Sequence, residues 1–488
     1  MGEAYLEVLP LFIYGWNLKG EYEMSNERPI KLVRNIRTSQ KEGNTRLFIE
    51  PPALEAAGLQ VGESIQYTFL EEAIVITRSE DASNIVSRRK RAHWKSPRPL
   101  IDRANKEITR ILRARERIDI LVSDGQLVIR HSRSFDLCVI EKPLLPGNDL
   151  KKLRLYSMPA GGGIGTAALI DTGFFESVGM ADVWDIAVEA YQYNFKNSII
   201  YHGDVRFQAP TWIPKADVVF LSPPCVEFSL LGGREAGVLE GLGPHFARSI
   251  WATGATMVII EQVPQYFSSR SYVHLKRLLS PNYPYWTERV LDAYDFGSVA
   301  GRKRGYAVCT VFNCGFTWPV IPKIPTHKRK TVKQVVGKRW EEKEWFPIEG
   351  TAMEKLLQKD GNNNFTAAHN PVLVELESTR ISAIVAAYRR YQITSSYLRH
   401  PDGDKWRPFS SDELAAFLSV SNWYGFPEWL SEGQRTKLLG QSVDGRVMKA
   451  IGIEAAVALM SHRAQASVAT SHSQIPMCEV NGQYSLIH

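Results

Sequence analysis

Short runs of alternating apolar and polar residues fill the first third of the chain. "TRLFIE" (45–50) is β-rich, "PPALEAAGL" (51–59) reads as a short helix entered through prolines, and "ESIQYTFLEEAIVITR" (63–78) reads as a hairpin. A related pattern returns in "RPLIDRANKEITRIL" (98–112) and "RIDILVSDGQLVIRHS" (117–132), with Asp124-Gly125 as the turn between two alternating strands. From Leu153 to Phe316 the pattern changes. "LRLYSMPA", "VGMADVWD", "DVVFLS" and "MVIIEQV" are continuous apolar runs separated by helical stretches, which predicts an open, doubly wound α/β sheet. Between Trp318 and Trp406 the regularity fades: "HKRKTVKQVVGKRW" is basic, "KDGNNNF" reads as a loop, and "LESTRISAIVAAYRRY" (376–391) reads as a helix. Helical patterns resume in "SSDELAAFLSV" and "VDGRVMKAIGIEAAVALM", and the polar end from 461 to 488 reads as a loose tail.

Length sharpens this picture into parts: 488 residues are too many for one ordinary domain. We expect an N-terminal extension (1–27), a small β-rich unit (28–85), a basic linker (86–96), a second hairpin unit (97–150), an α/β core in two pieces (151–317 and 407–460), an irregular insert (318–406) and the tail (461–488). The stretch "LFIEPPALEAAGLQVGESIQYTFLEEAIVI" (47–76) resembles the swapped-hairpin fold of AbrB and MazE-type proteins. That resemblance implies DNA binding and a homodimer formed through this unit. The linker "VSRRKRAHWK" carries Arg88, Arg89, Lys90 and Arg91, which are candidates for phosphate contact; a solvated charge run is the other reading.

Composition excludes several classes. No apolar run approaches a bilayer span, so no membrane association is expected. The early acids and the absence of a positive n-region argue against a signal peptide. Five cysteines without a C-x-x-C pair argue against a zinc module or a disulfide framework and fit a reducing, cytoplasmic setting; no metal is expected. The net charge of +7 permits a polyanionic partner without requiring one.

In an open α/β sheet, ligands gather at the carboxyl ends of the strands. Ala160, Gly161, Gly162, Gly163 and Gly165 follow the first such strand, where glycines allow close backbone approach. Asp182 ends the next strand, where a carboxylate commonly accepts ribose hydroxyls; a helix cap is the plainer reading. Asp204, after Gly203, could accept a hydrogen bond from an adenine amine or simply hold a turn. These three features suggest a nucleoside cofactor. The fourth end reads Ser222-Pro223-Pro224-Cys225, and a cysteine there is either a small strand-end filler or a presented nucleophile. Glu261 follows four apolar residues, so desolvation would favour its protonated form unless a nearby arginine pairs with it. Arg302 and Arg304 lie two apart on a further strand and could orient a phosphate or a polar base edge.

The order of these blocks resembles the DNA (cytosine-5)-methyltransferase family: the glycine turn, Asp182, Gly203-Asp204, Pro223-Pro224-Cys225-x-x-Phe228-Ser229, Glu261-x-Val263, Arg302-x-Arg304, "WYGFPEW" (423–429) and "LLGQSVDGRVMKAIG" (438–452). The likeness spans about residues 153–460 and makes 318–406 the target-recognition region. It implies a Rossmann-like methyltransferase domain acting on double-stranded DNA in a prokaryotic or phage-infected cell, as in restriction-modification. Cys225 would add to carbon 6 of a flipped-out cytosine, Glu261 would support protonation at ring nitrogen 3, Arg304 would hold the base edge, and Arg302 a flanking phosphate. S-adenosylmethionine would be held by Ala160, Gly161, Gly163, Asp182, Asp204, Pro223, Gln441 and Ser442, and Ser229 would contact DNA. The sequence departs from the family pattern where Val226, Gln262 and Gln441 replace the usual Gln, Asn and Asn. Two alternatives therefore stand beside methylation: transfer of a modified one-carbon group (or action on a modified cytosine), and DNA binding without catalysis.

Overall fold

The structure, a computed structural model, describes residues 28–92, 94–132, 152–224, 241–341, 343–360, 371–473, 477–480 and 483–486. Cys225, Val226 and Ser229 lie outside the described residues, as do the whole expected N-terminal extension and residues 133–151.

The N-terminal part holds β1 (Leu32–Arg37), β2 (Ser39–Lys41), β3 (Asn44–Ile49), α1 (Pro51–Ala56), β4 (Ser64–Phe69), β5 (Ala73–Arg78), β6 (Asn84–Ile85), β7 (Ser87–Arg89), β8 (Arg98–Ala104), α2 (Lys106–Ile111), β9 (Arg117–Ser123) and β10 (Gln126–His131). The sequence β3-α1-β4-β5 is repeated as β8-α2-β9-β10. The repeat extends to detail. Glu63 accepts the Gln60 amide at 2.9 Å and faces Arg78 at 3.3 Å; in the second unit Glu116 accepts the Arg113 amide at 3.0 Å and faces His131 at 2.8 Å. Gly62 and Arg115, before these glutamates, both have positive φ. Asp124-Gly125 makes the tight turn, with Ser123 opposite Gln126 and Gly125 at φ +67°.

The two units are laced together. β3 runs antiparallel to β8, and β5 runs antiparallel to β10. The leading strand of each pairs with the other's hairpin: β1 with β9, and β6 with β4. The strand exchange that a homodimer would supply is thus met inside one chain.

The expected linker is not a free charge run. Its residues form β7, which pairs with β8. Arg89 donates to Glu50 at 2.7 Å, Arg91 lies 3.5 Å from the same carboxylate, and the Arg91 guanidinium sits over Trp94. Arg88 and Lys90 remain exposed.

The α/β part begins with β11 (Leu153–Met158), α3 (Ile164–Ile170), β12 (Phe175–Asp182), α4 (Asp185–Asn194), β13 (Ile199–His202), β14 (Val218–Leu221), α5 (Gly243–Thr253), β15 (Met257–Gln262), α6 (Arg270–Leu279), β16 (Tyr285–Asp292) and β17 (Lys303–Thr310). The strands stand in the order β16-β17-β15-β14-β11-β12-β13, all running one way except β17, which is antiparallel to both its neighbours. Both faces are covered, which explains the unbroken apolar runs. Leu155, Val218, Phe220 and Ile259 pack against Leu169 of α3 on one face. Tyr156, Val219, Leu221 and Ile260 pack against Phe246 of α5 and Leu275 of α6 on the other.

This sheet does not stop at β13. β1 pairs with it in parallel, with Val33 opposite Tyr201 and Arg34 opposite His202, so a single 13-stranded sheet runs from the α/β core through the N-terminal module. Val33 and Leu121 are buried in the same cluster as Tyr156 and Tyr201. Each such buried side chain contributes about 1.5–3 kcal/mol. A second weld is Arg98, which is buried, bonds to Glu55 at 2.6 and 2.7 Å and to Glu189 of α4 at 3.0 Å, and lies between Trp94 and Trp429.

The insert contains α7 (Val332–Val336), β18 (Phe346–Pro347), α8 (Ala352–Asp360), β19 (Leu373–Val374), β20 (Tyr397–Arg399) and β21 (Lys405–Arg407), with a small sheet ordered β18-β21-β20-β19. The helix expected over 376–391 does not form. Ile381 bridges to Ala300, Arg302 takes the Ile384 carbonyl, and Gly440 abuts the Val385–Ala386 backbone so closely that a Cβ would come within 2.4 Å. These tertiary contacts claim backbone groups that a helix would need for itself. The chain then returns to the core as α9 (Ser411–Phe417), α10 (Glu432–Gln441) and α11 (Gly445–Ser473). The last helix runs past 461, so the expected tail is helical at its start. Among the described residues no helix is long and apolar enough to cross a membrane.

Candidate active site

A cleft of about 500 Å³ opens at the carboxyl ends of β11, β12, β13, β14 and β15. One end is built largely from backbone. After β11, Gly161 and Gly163 take φ of +54° and +84°, a region that suits glycine. A Cβ on Gly163 would lie 2.5 Å from the Phe195 ring and 2.7 Å from Tyr191, so the turn can sit against α4 only without one. Gly161 faces open space and Gly162 gives its carbonyl to the Tyr424 hydroxyl at 2.6 Å, so the "WYGFPEW" block backs the turn.

Asp182 lines this end, but its carboxylate is turned inward. Its oxygens accept the Gly161 amide at 2.8 Å and the Trp184 amide at 2.9 Å. Burial pushes its pKa up, against the lowering effect of these amides. It therefore acts first as the buttress of the glycine turn; it is not the cap of α4, whose N-cap residue is Trp184. Trp184, beside it, presents its indole to the cleft with Lys437 4.5 Å from its ring. The sequence reading missed this residue; an aromatic two residues after a strand-end acid was the available signal.

Asp204 lines the same cleft. Arg206 engages it through its backbone amide at 3.0 Å and its guanidinium at 2.5 Å. Burial would raise the Asp204 pKa, yet Arg206 and then Arg117 outweigh it and hold the carboxylate below its usual range.

The other end is built from charged side chains. Glu261 is buried at the end of β15 and takes the Ser222 hydroxyl at 2.9 Å. Arg304 Nε lies 3.2 Å from its other oxygen. The carboxylate is paired, which was the alternative to bare desolvation. Pro223 and Pro224 border this pair in the cleft, and Cys225 follows them in sequence. Gln262 folds back: its amide nitrogen donates to the Pro223 carbonyl and its oxygen accepts the Val263 amide at 2.5 Å.

Arg302 corrects the expectation of a phosphate ligand. It is buried and donates to the carbonyls of Ile384 at 2.9 Å, Gly440 at 3.3 Å and Ser442. It is a clamp joining β17, the insert and the end of α10. Ser442 is held further by its own hydroxyl on the Leu439 carbonyl at 2.8 Å. Gln441, by contrast, is exposed at the cleft mouth.

Ala160, Gly161, Asp182, Asp204, Pro223, Glu261, Arg302, Arg304, Gln441 and Ser442 therefore border one cleft, with Gly163 just behind it; Arg88, Arg89, Lys90 and Arg91 are not part of it. The cleft offers a glycine cradle, an aromatic face and a strand-end carboxylate at one end, which suits a nucleoside. At the other end it offers a carboxylate and guanidinium pair, which suits the edge of a polar base.

Residues 153–456 match the model of the C-5 cytosine-specific DNA methylases, and the chain belongs to that family. It is 30% identical over 163 residues to the Type II methyltransferase M.Bsp6I of Bacillus sp. (strain RFL6), a match covering 32% of this chain and 51% of that protein. It is 28% identical over 138 residues to the Type II methyltransferase M.HgiDI of Herpetosiphon aurantiacus, covering 28% and 45%. The chain thus matches about half the length of these curated relatives. The S. pombe Dnmt2 methyltransferase structure is similar with a TM-score of 0.50 at 17% identity, covering 64% of this chain and 99% of that one, a likeness of fold.

Proposed function

We propose that this chain is an S-adenosylmethionine-dependent DNA (cytosine-5)-methyltransferase acting on double-stranded DNA. The observation that carries the reading is the meeting, in one cleft, of the glycine turn and Asp204 with the Glu261–Arg304 pair, directly before Cys225 in sequence. Family membership and the two bacterial relatives named Type II methyltransferases support it, and they favour a prokaryotic cytoplasm.

S-adenosylmethionine, when bound, supplies an electrophilic methyl group. The residues of this chain do the rest. The glycine turn and Trp184 border the nucleoside, and Asp204 accepts from the adenine amine. Cys225, as thiolate, forms a bond to carbon 6 of a cytosine swung out of the duplex. This addition makes carbon 5 nucleophilic. Glu261 holds a proton at ring nitrogen 3, and Arg304 fixes both the carboxylate and the base edge. Carbon 5 takes the methyl group and then loses its proton. The bond from sulfur to carbon 6 breaks, the thiolate returns, and the products are 5-methylcytosine, S-adenosylhomocysteine and one proton. Arg302 contributes by holding Gly440 and Ser442 at the cleft wall.

Gln262 bears on the modified-donor alternative. Its amide binds the Pro223 carbonyl and the Val263 amide, so its extra methylene serves to reach the proline loop. We therefore assign a plain methyl transfer. Nucleoside mass spectrometry of DNA from cells expressing the chain tests this. The expected result is 5-methylcytosine that disappears with Cys225→Ala. A heavier cytosine adduct, or no modified base from an expressed and folded chain, would overturn it.

A further inference from the structure

We propose that the N-terminal module backs the cofactor cleft from behind, and that Arg117, on the second hairpin unit, is the positioning residue through which it holds the loop that carries Asp204. This rests on the reading that the cleft binds S-adenosylmethionine.

The placement follows from the sheet. Because β1 pairs with β13 as far as Arg34 opposite His202, the module reaches the loop that begins at Gly203. Asn35, the next residue on β1, lies over that glycine: a Cβ on Gly203 would sit 2.8 Å from Asn35 Cβ. β9 lies beside β1 with Arg117 opposite Arg37, which brings the Arg117 side chain to the same loop from the module's side. Its guanidinium donates to Asn35 Oδ1 at 2.6 Å and stacks with its centre 3.5 Å from the centroid of the Phe207 ring. Phe207 is three residues past Asp204 and closes the short helical turn that Asp204 caps.

Asp204 therefore feels two guanidinium groups, Arg206 in direct contact and Arg117 across the Phe207 ring it stacks on. Arg206 comes from its own loop and Arg117 from the module, and both favour its ionised form. Arg206 is part of the loop and moves with it, so it cannot fix where the loop lies. Arg117 belongs to a different part of the molecule and can. The equivalent position of the first hairpin unit is Ser64, which faces no such loop. The cation sits only on the unit that abuts the cleft. A planar cation stacked on a ring and tied to a neighbouring amide is worth more than an exposed ion pair, because little freedom is left to lose.

A carboxylate in a fixed place distinguishes the amine of adenine from the carbonyl of hypoxanthine, since it accepts from the first and repels the second. Calorimetric titration of the full-length chain with S-adenosylhomocysteine and with S-inosylhomocysteine reads this directly. We expect Arg117→Ala to weaken S-adenosylhomocysteine at least fivefold and to narrow the preference for it over the inosine analogue. Phe207→Leu removes the stacking partner from the other side and should act in the same direction. Arg117→Lys, which keeps charge without the plane, should fall between. Arg113→Ala, an exposed cation of the same unit, should leave both affinities unchanged. Equal binding by wild type, Arg117→Ala and Phe207→Leu would overturn the inference alone. So would weaker binding with the purine preference intact, which would mark a merely structural role. A wild-type chain that binds no S-adenosylhomocysteine would overturn the cofactor reading and this inference with it.

Discussion

The two ends of the cleft solve different problems with different materials. The nucleoside end is made of backbone: glycines at positive φ, amides tied to Asp182, and a carbonyl held by Tyr424. The reacting end is made of charge: Glu261 against Arg304, with Ser222 completing the carboxylate's bonds. A backbone cradle is fixed by sterics and tolerates no added atoms. An ion pair can trade partners as a base enters, because each member keeps capacity for a further hydrogen bond. Substitutions at one end should therefore move binding, and at the other end turnover.

The sharpest break should come at the reacting end. Cys225→Ala should abolish product while S-adenosylhomocysteine still binds with its wild-type affinity. Glu261→Gln should follow, with a loss of at least about 100-fold in kcat, or about 3 kcal/mol, and a cofactor KM within about twofold of wild type. Steady-state kinetics on a DNA substrate reads both. If Glu261→Gln raised the cofactor KM and spared kcat, the division of labour would be wrong.

Arg302 clamps the cleft wall at Gly440 and Ser442 rather than either end alone, so Arg302→Ala should blur the distinction. It leaves the carbonyls of Ile384, Gly440 and Ser442 short of a donor, at about 1–3 kcal/mol for each one left unsatisfied. Denaturant titration should show the loss of stability, and kinetics a rise in cofactor KM together with a fall in kcat. At the nucleoside end alone, Gly163→Ala should cost about 1–3 kcal/mol and weaken the cofactor, because the new methyl meets the rings of Phe195 and Tyr191.

The smallest effect concerns the weld between module and core. His202 is buried against β1, with Asp185 Oδ1 2.8 Å from its Nε2 and Arg34 nearby. Burial, with Arg34, pushes its pKa down to about 4. The unfolded chain takes up this proton first, so stability from this site is whole above about pH 6.5 and falls as pH drops towards 4. Asp185 adds to the loss only at lower pH: burial would raise its pKa, but His202 and Arg34 bring it to about 2. Melting temperature should fall with pH over the first window, and His202→Gln should flatten that slope.

Much of this was legible in the sequence for a physical reason. Buried parallel strands show as unbroken apolar runs, Asp124-Gly125 announces its turn, and the glycines after β11 mark a close backbone approach. What stayed hidden depends on contacts between distant segments. Arg302 and Arg304 look alike two positions apart, yet one is buried as a clamp and the other faces Glu261. Residues 376–391 have a helical pattern, but their carbonyls are claimed by Arg302 and β17's neighbours. The charges of 88–91 read as a phosphate-contacting or solvated linker because Glu50, which pairs Arg89 and Arg91, lies about forty residues earlier. That β1 extends the catalytic sheet was likewise invisible, since pairing partners leave no mark on a strand's own pattern.

Covalent capture on DNA tests the central claim most directly. Duplex DNA in which cytosine is replaced by 5-fluorocytosine blocks the final proton loss, so a chain that attacks carbon 6 and transfers a methyl group becomes trapped. With S-adenosylmethionine present, the full chain should form a complex with DNA that survives denaturing electrophoresis and maps by peptide mass spectrometry to Cys225. If the wild-type chain binds cofactor and DNA yet forms no such complex in any sequence context offered, the account is contradicted.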